Sequence, residues 1–144
     1  FRKSRLHFQY NPSEIFTFKT RLEHVFYKGL ESENGWMVFQ DVQISPDRIP
    51  LNLSARLAYF NTESYNSRIY AYENDLLYTF AVPAFFGKGF RTYLNLKYKI
   101  SEKAEIWFKL ANTLQSGAES ISSGYNEIAG NQKTELKFQL RLKM

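Results

Sequence analysis

Over residues 135–144 apolar and polar side chains alternate without a break. Leu136, Phe138, Leu140, Leu142 and Met144 take one side; Glu135, Lys137, Gln139, Arg141 and Lys143 take the other. A period of two is the signature of an extended strand with two unlike faces. Wound as a helix, the same residues would scatter apolar groups all round and leave no core face. This one feature selects β-structure, and it also demands two different environments, one for each side of the strand.

The pattern recurs upstream. Leu6, Phe8 and Tyr10 oppose Arg5, His7 and Gln9. Phe16, Phe18, Leu22, His24 and Phe26 oppose Thr17, Lys19, Arg21 and Glu23. Leu51, Leu53, Ala55, Leu57 and Tyr59 oppose Asn52, Ser54, Arg56 and Ala58. Leu94, Leu96, Tyr98 and Ile100 oppose Arg91, Tyr93, Asn95, Lys97 and Lys99, and Ile106, Phe108 and Leu110 oppose Glu105, Trp107 and Lys109. Segment 36–45 is noisier, with Trp36, Val38, Val42 and Ile44 against Asp41, Gln43 and Ser45. The reading is all-β and antiparallel, with 1–144 as a single unit.

Between the strands lie turn formers: Asn11-Pro12-Ser13, Ser45-Pro46-Asp47 and Ser101-Glu102-Lys103. Lys28–Gly35 reads as a longer polar connector, and 115–133, with Gly117, Gly124 and Gly130, as a long one. Segment 66–90 is either one long strand or two, 67–73 and 76–83, with a turn at Glu73-Asn74-Asp75. With two, the short turns near 12, 47, 74 and 102 share one end of the sheet, and the long loops near 31, 63, 87 and 125 share the other. Membrane barrels segregate their connectors in this way. About nine strands are therefore expected, with the facing of 67–73 open between Tyr70/Tyr72 and Ile69/Ala71. An odd count in a chain that begins mid-pattern predicts part of a larger barrel and a native start before Phe1. The absence of a signal peptide says nothing about compartment.

The apolar face can meet another sheet or a lipid bilayer. The strands approach the roughly 9–11 residues needed to cross a bilayer on a tilt. Among 13 Phe, 10 Tyr and 2 Trp, several sit near strand ends as interface girdles do: Phe26/Tyr27, Trp36, Tyr59/Phe60, Phe85/Phe86 and Tyr98. A mean hydropathy of −0.43 and the lack of any apolar run near 20 residues exclude a helical membrane protein, but not a barrel. The expected architecture is an antiparallel up-and-down transmembrane β-barrel segment. Its lipid-facing residues are Phe16, Phe18, Leu22, Leu53, Leu57, Leu94, Leu96, Ile106, Phe108, Leu110, Leu136, Phe138, Leu140 and Leu142. Arg21, Arg56, Lys97, Lys99, Lys109, Lys137 and Arg141 line the lumen.

With a formal charge of +5, that lumen is net basic, relieved by Glu23, Asp41, Glu105 and Glu135. Two explanations stay open: a salt-bridged interior that holds the wall together, or a wet channel favouring anions. A soluble barrel holding a lipid or other apolar ligand, with the faces reversed, is a third reading. No enzyme is expected. Zero Cys, no HExxH and no GxSxG leave no catalytic, metal or cofactor signature. His7 and His24 fall on opposite faces. Glu63, Glu73 and Asp75 read as solvated turn residues. The basic residues alternate along strands and do not cluster as a nucleic-acid footprint.

Two stretches resemble the C-terminal barrel region of Bacteroidota envelope proteins described as helix-hairpin-helix domain-containing. One is Ser67-Arg68-Ile69-Tyr70-Ala71-Tyr72-Glu73-Asn74-Asp75 with Pro83-Ala84-Phe85-Phe86-Gly87-Lys88-Gly89. The other is Ser122-Ser123-Gly124-Tyr125-Asn126-Glu127-Ile128 with Gly130-Asn131-Gln132-Lys133. Met144 stands where barrels commonly end in an aromatic. The resemblance implies a preceding periplasmic part with helix-hairpin-helix units, which in general contact DNA backbones. Nucleic acid enters as a partner only through such units, and no residue role carries over. The expected function is a structural and transport component of the bacterial outer membrane. The expected partners are the bilayer and its lipopolysaccharide, the remainder of the barrel, and other envelope proteins at loops 61–66 and 115–133. The alternatives are an anion or DNA uptake channel, or the soluble ligand-binding barrel.

Overall fold

Seven strands pair in chain order into one antiparallel meander: β1 (Arg2–Tyr10), β2 (Phe16–Lys28), β3 (Ser32–Ile44), β4 (Leu51–Thr62), β7 (Lys88–Lys99), β8 (Ala104–Ser116) and β11 (Gln132–Leu142). Two small ribbons, β5 (Ile69–Tyr70) with β6 (Ala84–Phe85) and β9 (Ser120–Ile121) with β10 (Ile128–Ala129), lie in the longer connections. This computed structural model describes residues 1–121, 125 and 127–143. The end of the alternation at Met144 and much of the Ser122–Asn126 phrase fall outside the described residues. Strands β1 and β11 are the two edges, and among the described residues they do not pair with each other.

The register keeps the two faces in phase from edge to edge. Leu6 lies opposite Leu22, Leu22 opposite Val38, Val38 opposite Tyr59, Tyr59 opposite Phe90, and Phe90 opposite Leu114. One residue along the strands, Arg5–Glu23–Met37–Phe60 forms the corresponding row on the other face. A slip of one residue anywhere would invert a whole strand.

The expected nine strands are seven. β4 pairs directly with β7, from Leu51 opposite Tyr98 to Asn61 opposite Lys88, so no strand lies between them. Residues 63–87 are instead an insertion folded back over one face of the sheet. Its neck is closed by Thr62 N–H donating to the Gly87 carbonyl at 2.7 Å and Gly87 N–H donating to Thr62 Oγ1 at 2.9 Å. Gly87 turns there with φ +73°, in the left-handed region that favours glycine. The open facing of 67–73 resolves with Ser67, Ile69, Ala71 and Glu73 buried, and Tyr70 and Tyr72 exposed. Odd residues point at the sheet because their partners, apolar and cationic, are there.

The two sides of the sheet differ sharply. The covered face, under the insertion, holds every buried residue of the wall. Val25, Met37, Phe39, Ala58 and Phe60 pack against Ile69, Ala71 and Phe85 as the hydrophobic core. Each large side chain buried there contributes about 1.5–3 kcal/mol. This explains the noise in 36–45: Met37 and Phe39 stand on the polar side of β3 because the insertion lies over them. Gly35 admits its closest approach, since a Cβ at Gly35 would sit 2.2 Å from the Ser67 carbonyl oxygen.

Two further expectations are corrected and one is filled in. Lys28–Gly35 is not a long loop, because β2 and β3 pair through Lys28 opposite Ser32. The 115–133 connector carries the β9–β10 ribbon. Phe60 and Phe85 are core residues with ring centroids 5.3 Å apart, not members of a girdle. The connections 11–15, 45–50 and 100–103 gather at one end of the sheet, and the long 63–87 and 117–131 at the other, together with the tight 29–31 turn.

Candidate functional site: the covered, charged face

Below the apolar core the covered face becomes ionic. Arg56, on β4, forks onto Asp41 of β3, with Nε donating to Oδ1 at 2.6 Å and Nη2 to Oδ2 at 2.7 Å. Its third arm donates to the Tyr72 carbonyl of the insertion at 2.6 Å. The guanidinium lies 3.8 Å from the Phe39 ring centroid, and Tyr93 flanks it at 5.4 Å. Planar forks of this kind suit buried carboxylates because two parallel bonds satisfy both oxygens.

The next cluster joins the insertion to β7, β8 and β11. Glu73, wholly buried, accepts from Arg91 Nε at 3.1 Å and Nη2 at 3.0 Å. Lys109 Nζ lies 3.4 Å from the same carboxylate and 3.5 Å from Asp75. Lys137 Nζ donates to Asp75 Oδ2 at 2.7 Å. Arg91 also donates to Thr113 Oγ1 at 2.9 Å and pairs with Glu135. Asn95 Nδ2 reaches the Asp75 carbonyl at 3.1 Å. Burial works against the Asp75 charge, but Lys137, the Leu76 N–H and Lys109 outweigh it and hold its carboxyl below the ordinary range.

Glu73 and Asp75 were expected in solvent as turn residues; that reading is corrected. They are counter-ions of the covered face. The signal for them was the excess of inward cations over the strand carboxylates Glu23, Asp41, Glu105 and Glu135. Buried cations need partners, and the acids between the strands were the nearest supply.

All seven residues expected in the lumen lie on the covered side of their strands by register. Arg56, Lys109 and Lys137 join the clusters above. Lys97 and Arg141 approach Glu105 at 3.9 and 3.6 Å. Lys99 stands exposed at the end of β7. Arg21 leans over Phe39, 5.0 Å from the ring centroid. The set expected against lipid lies on the opposite face, and none of it is buried: Leu57 is 56 % exposed and Phe138 65 %. An open cleft of about 380 Å³ separates the returning limb of the insertion (Pro83–Phe86) from Lys133, Glu135 and Lys137. A second, of about 300 Å³, lies toward the short turns between Tyr72, Asn95 and Trp107.

Comparison with protein-family models, with curated proteins and with solved structures finds no match.

Proposed function

We propose that this chain forms wall of an outer-membrane β-barrel, a structural and transport component of the bacterial envelope, with residues 63–87 as a plug inside the bore. One observation carries the reading: the sheet exposes its apolar face and covers its charged one. A sheet bathed in water on one side does the reverse. Contiguous apolar patches spanning a whole sheet face are rare on soluble monomers, and a membrane barrel presents such a face to lipid.

Other features agree. The inner strands β2, β3, β4, β7 and β8 run 12–13 residues, enough to cross a bilayer on a tilt. Polar groups on the apolar face pair across strands: Thr20 donates to Gln40 at 2.5 Å and Asn112 to Thr134 at 2.9 Å. His24 stacks on Trp36 and Tyr59 meets Phe90 toward the end with the long connections, while Phe16 and Tyr98 lie toward the other. An eight-stranded barrel is only wide enough for its own side chains. A wall that carries a 63–87 plug therefore belongs to a larger barrel, and its edges β1 and β11 need partners, because lipid cannot satisfy an open edge. Lipid and lipopolysaccharide on the apolar face, the remaining wall at the edges, and envelope proteins at the long connections are the partners this reading assigns.

The test is extraction of the full native protein from envelopes. The reading requires detergent for solubility and a folded form that migrates differently before and after boiling. A protein that stays soluble and monomeric without detergent overturns it, and a ligand-binding soluble sheet takes its place.

A further inference from the structure

The insertion does not cover the whole charged face. Its hydrogen bonds and ion pairs, among the described residues, reach β3, β4, β7, β8 and β11. None reaches β1 or β2. Strand β1 is an edge of the sheet. On β2, Glu23 and Val25 are buried near the core, while Thr17, Lys19 and Arg21 are only half-covered.

This uncovered strip is basic and under-neutralised. Lys3 and Arg5 share the one carboxylate of Glu23, with Arg5 Nε at 2.8 Å. His7 stands opposite Arg21 and Gln9 opposite Lys19. Lys19 and Arg21 make no ion pair among the described residues. The carboxylate nearest in register to Lys19 is Asp41, but both its oxygens are held by Arg56. The Arg21 Nε is buried without a hydrogen-bond partner, although the guanidinium sits on the Phe39 ring. Under the insertion the opposite holds: Arg56, Arg91, Lys109 and Lys137 are each tied to a carboxylate.

We infer that small anions cross the barrel along the β1–β2 strip, past Lys19 and Arg21, beside the plug and not through it. This rests on the barrel reading above. Arg and Lys without fixed counter-ions attract mobile ones, and such linings select anions. A guanidinium fits carboxylate or phosphate oxygens better than a bare ammonium does. Under the insertion Arg56, Arg91, Lys109 and Lys137 already have fixed carboxylates and attract mobile anions less.

The experiment is conductance of the full native protein in a planar bilayer under a KCl gradient, with inorganic phosphate added as a competing anion. The expected reversal potential shows chloride preference, phosphate reduces the current, and the double variant Lys19→Glu/Arg21→Glu loses the preference. Heat-modifiable migration checks that the variant is folded. Lys19→Cys, in a full-length protein freed of any other cysteine, offers a second route, in which a negatively charged thiol reagent should block the current faster than a positively charged one. Chloride preference that survives the charge reversal, with equal rates for the two reagents, places the path elsewhere and overturns the inference. So does a protein that inserts and migrates as a barrel but conducts nothing or prefers cations, and in that case the barrel reading stands. A protein that never inserts removes both.

Discussion

At the scale of single residues, Glu73 is the most consequential side chain in the molecule. It is wholly buried and touches both Arg91 and Lys109. Glu73→Gln keeps the shape but strips the charge, leaving Arg91 with Glu135 alone and Lys109 with Asp75 alone. Breaking an isolated buried pair costs about 3–5 kcal/mol, and because each cation keeps one carboxylate the denaturant midpoint in detergent should fall by less than that. Arg5→Ala, at a half-exposed cation whose buried partner Glu23 keeps Lys3, should cost less than Glu73→Gln does. Asp75 predicts a pH dependence. Its folded pKa is depressed by Lys137, the Leu76 N–H and Lys109 against the pull of burial. A depressed carboxylate stabilises the fold above its unfolded value, near 4, and loses that contribution as pH falls through the lower folded value. Protection factors in 69–76 should therefore hold at neutral pH and fall only below about pH 4. Protection that is unchanged down to pH 2 would show that the Asp75 pairs do not hold the insertion.

At the scale of elements, the question is what seats the insertion on the sheet. Backbone meets backbone at Gly35, where a side chain would need the space taken by the Ser67 carbonyl. Gly35→Val should lift the 63–87 neck at a cost of about 1–3 kcal/mol, read as faster proteolysis within 63–87 with strand content unchanged by circular dichroism. Unaltered protease resistance would mean that the contact is not close in the working protein. That insertion was hard to read from sequence for a physical reason. The odd residues 67–73 alternate with even ones as a strand does, and only the identity of the buried partners distinguishes a wall strand from a ribbon lying across a wall. The long connections 63–87 and 117–131 do share one end, but the connector near 31 is a tight turn and 73–75 lies in the insertion. The count was wrong because β4 and β7 pair with each other directly.

At the scale of the whole molecule, the orientation of the sheet is testable at its apolar face. Leu110 stands mid-strand and 41 % exposed, between Leu94 and Leu136. If that face meets lipid, Leu110→Lys should cost about 2–4 kcal/mol at the bilayer midplane. If it meets water, the same change should fall within about 0.5 kcal/mol. Stability measured in detergent and in vesicles decides between them.

Alternation along the chain by itself determined the β class, the antiparallel meander and the side to which nearly every wall residue points. Those follow from a period of two, which leaves each strand only one choice of face. The sequence also contained the charge imbalance of the covered face. Only the tertiary structure decided where Glu73 and Asp75 go, why Met37, Phe39 and Phe60 stand on the polar side, and which cations are left without a carboxylate. Those depend on which segment lies across the sheet. Such contacts join residues far apart in the chain, and no local pattern records them.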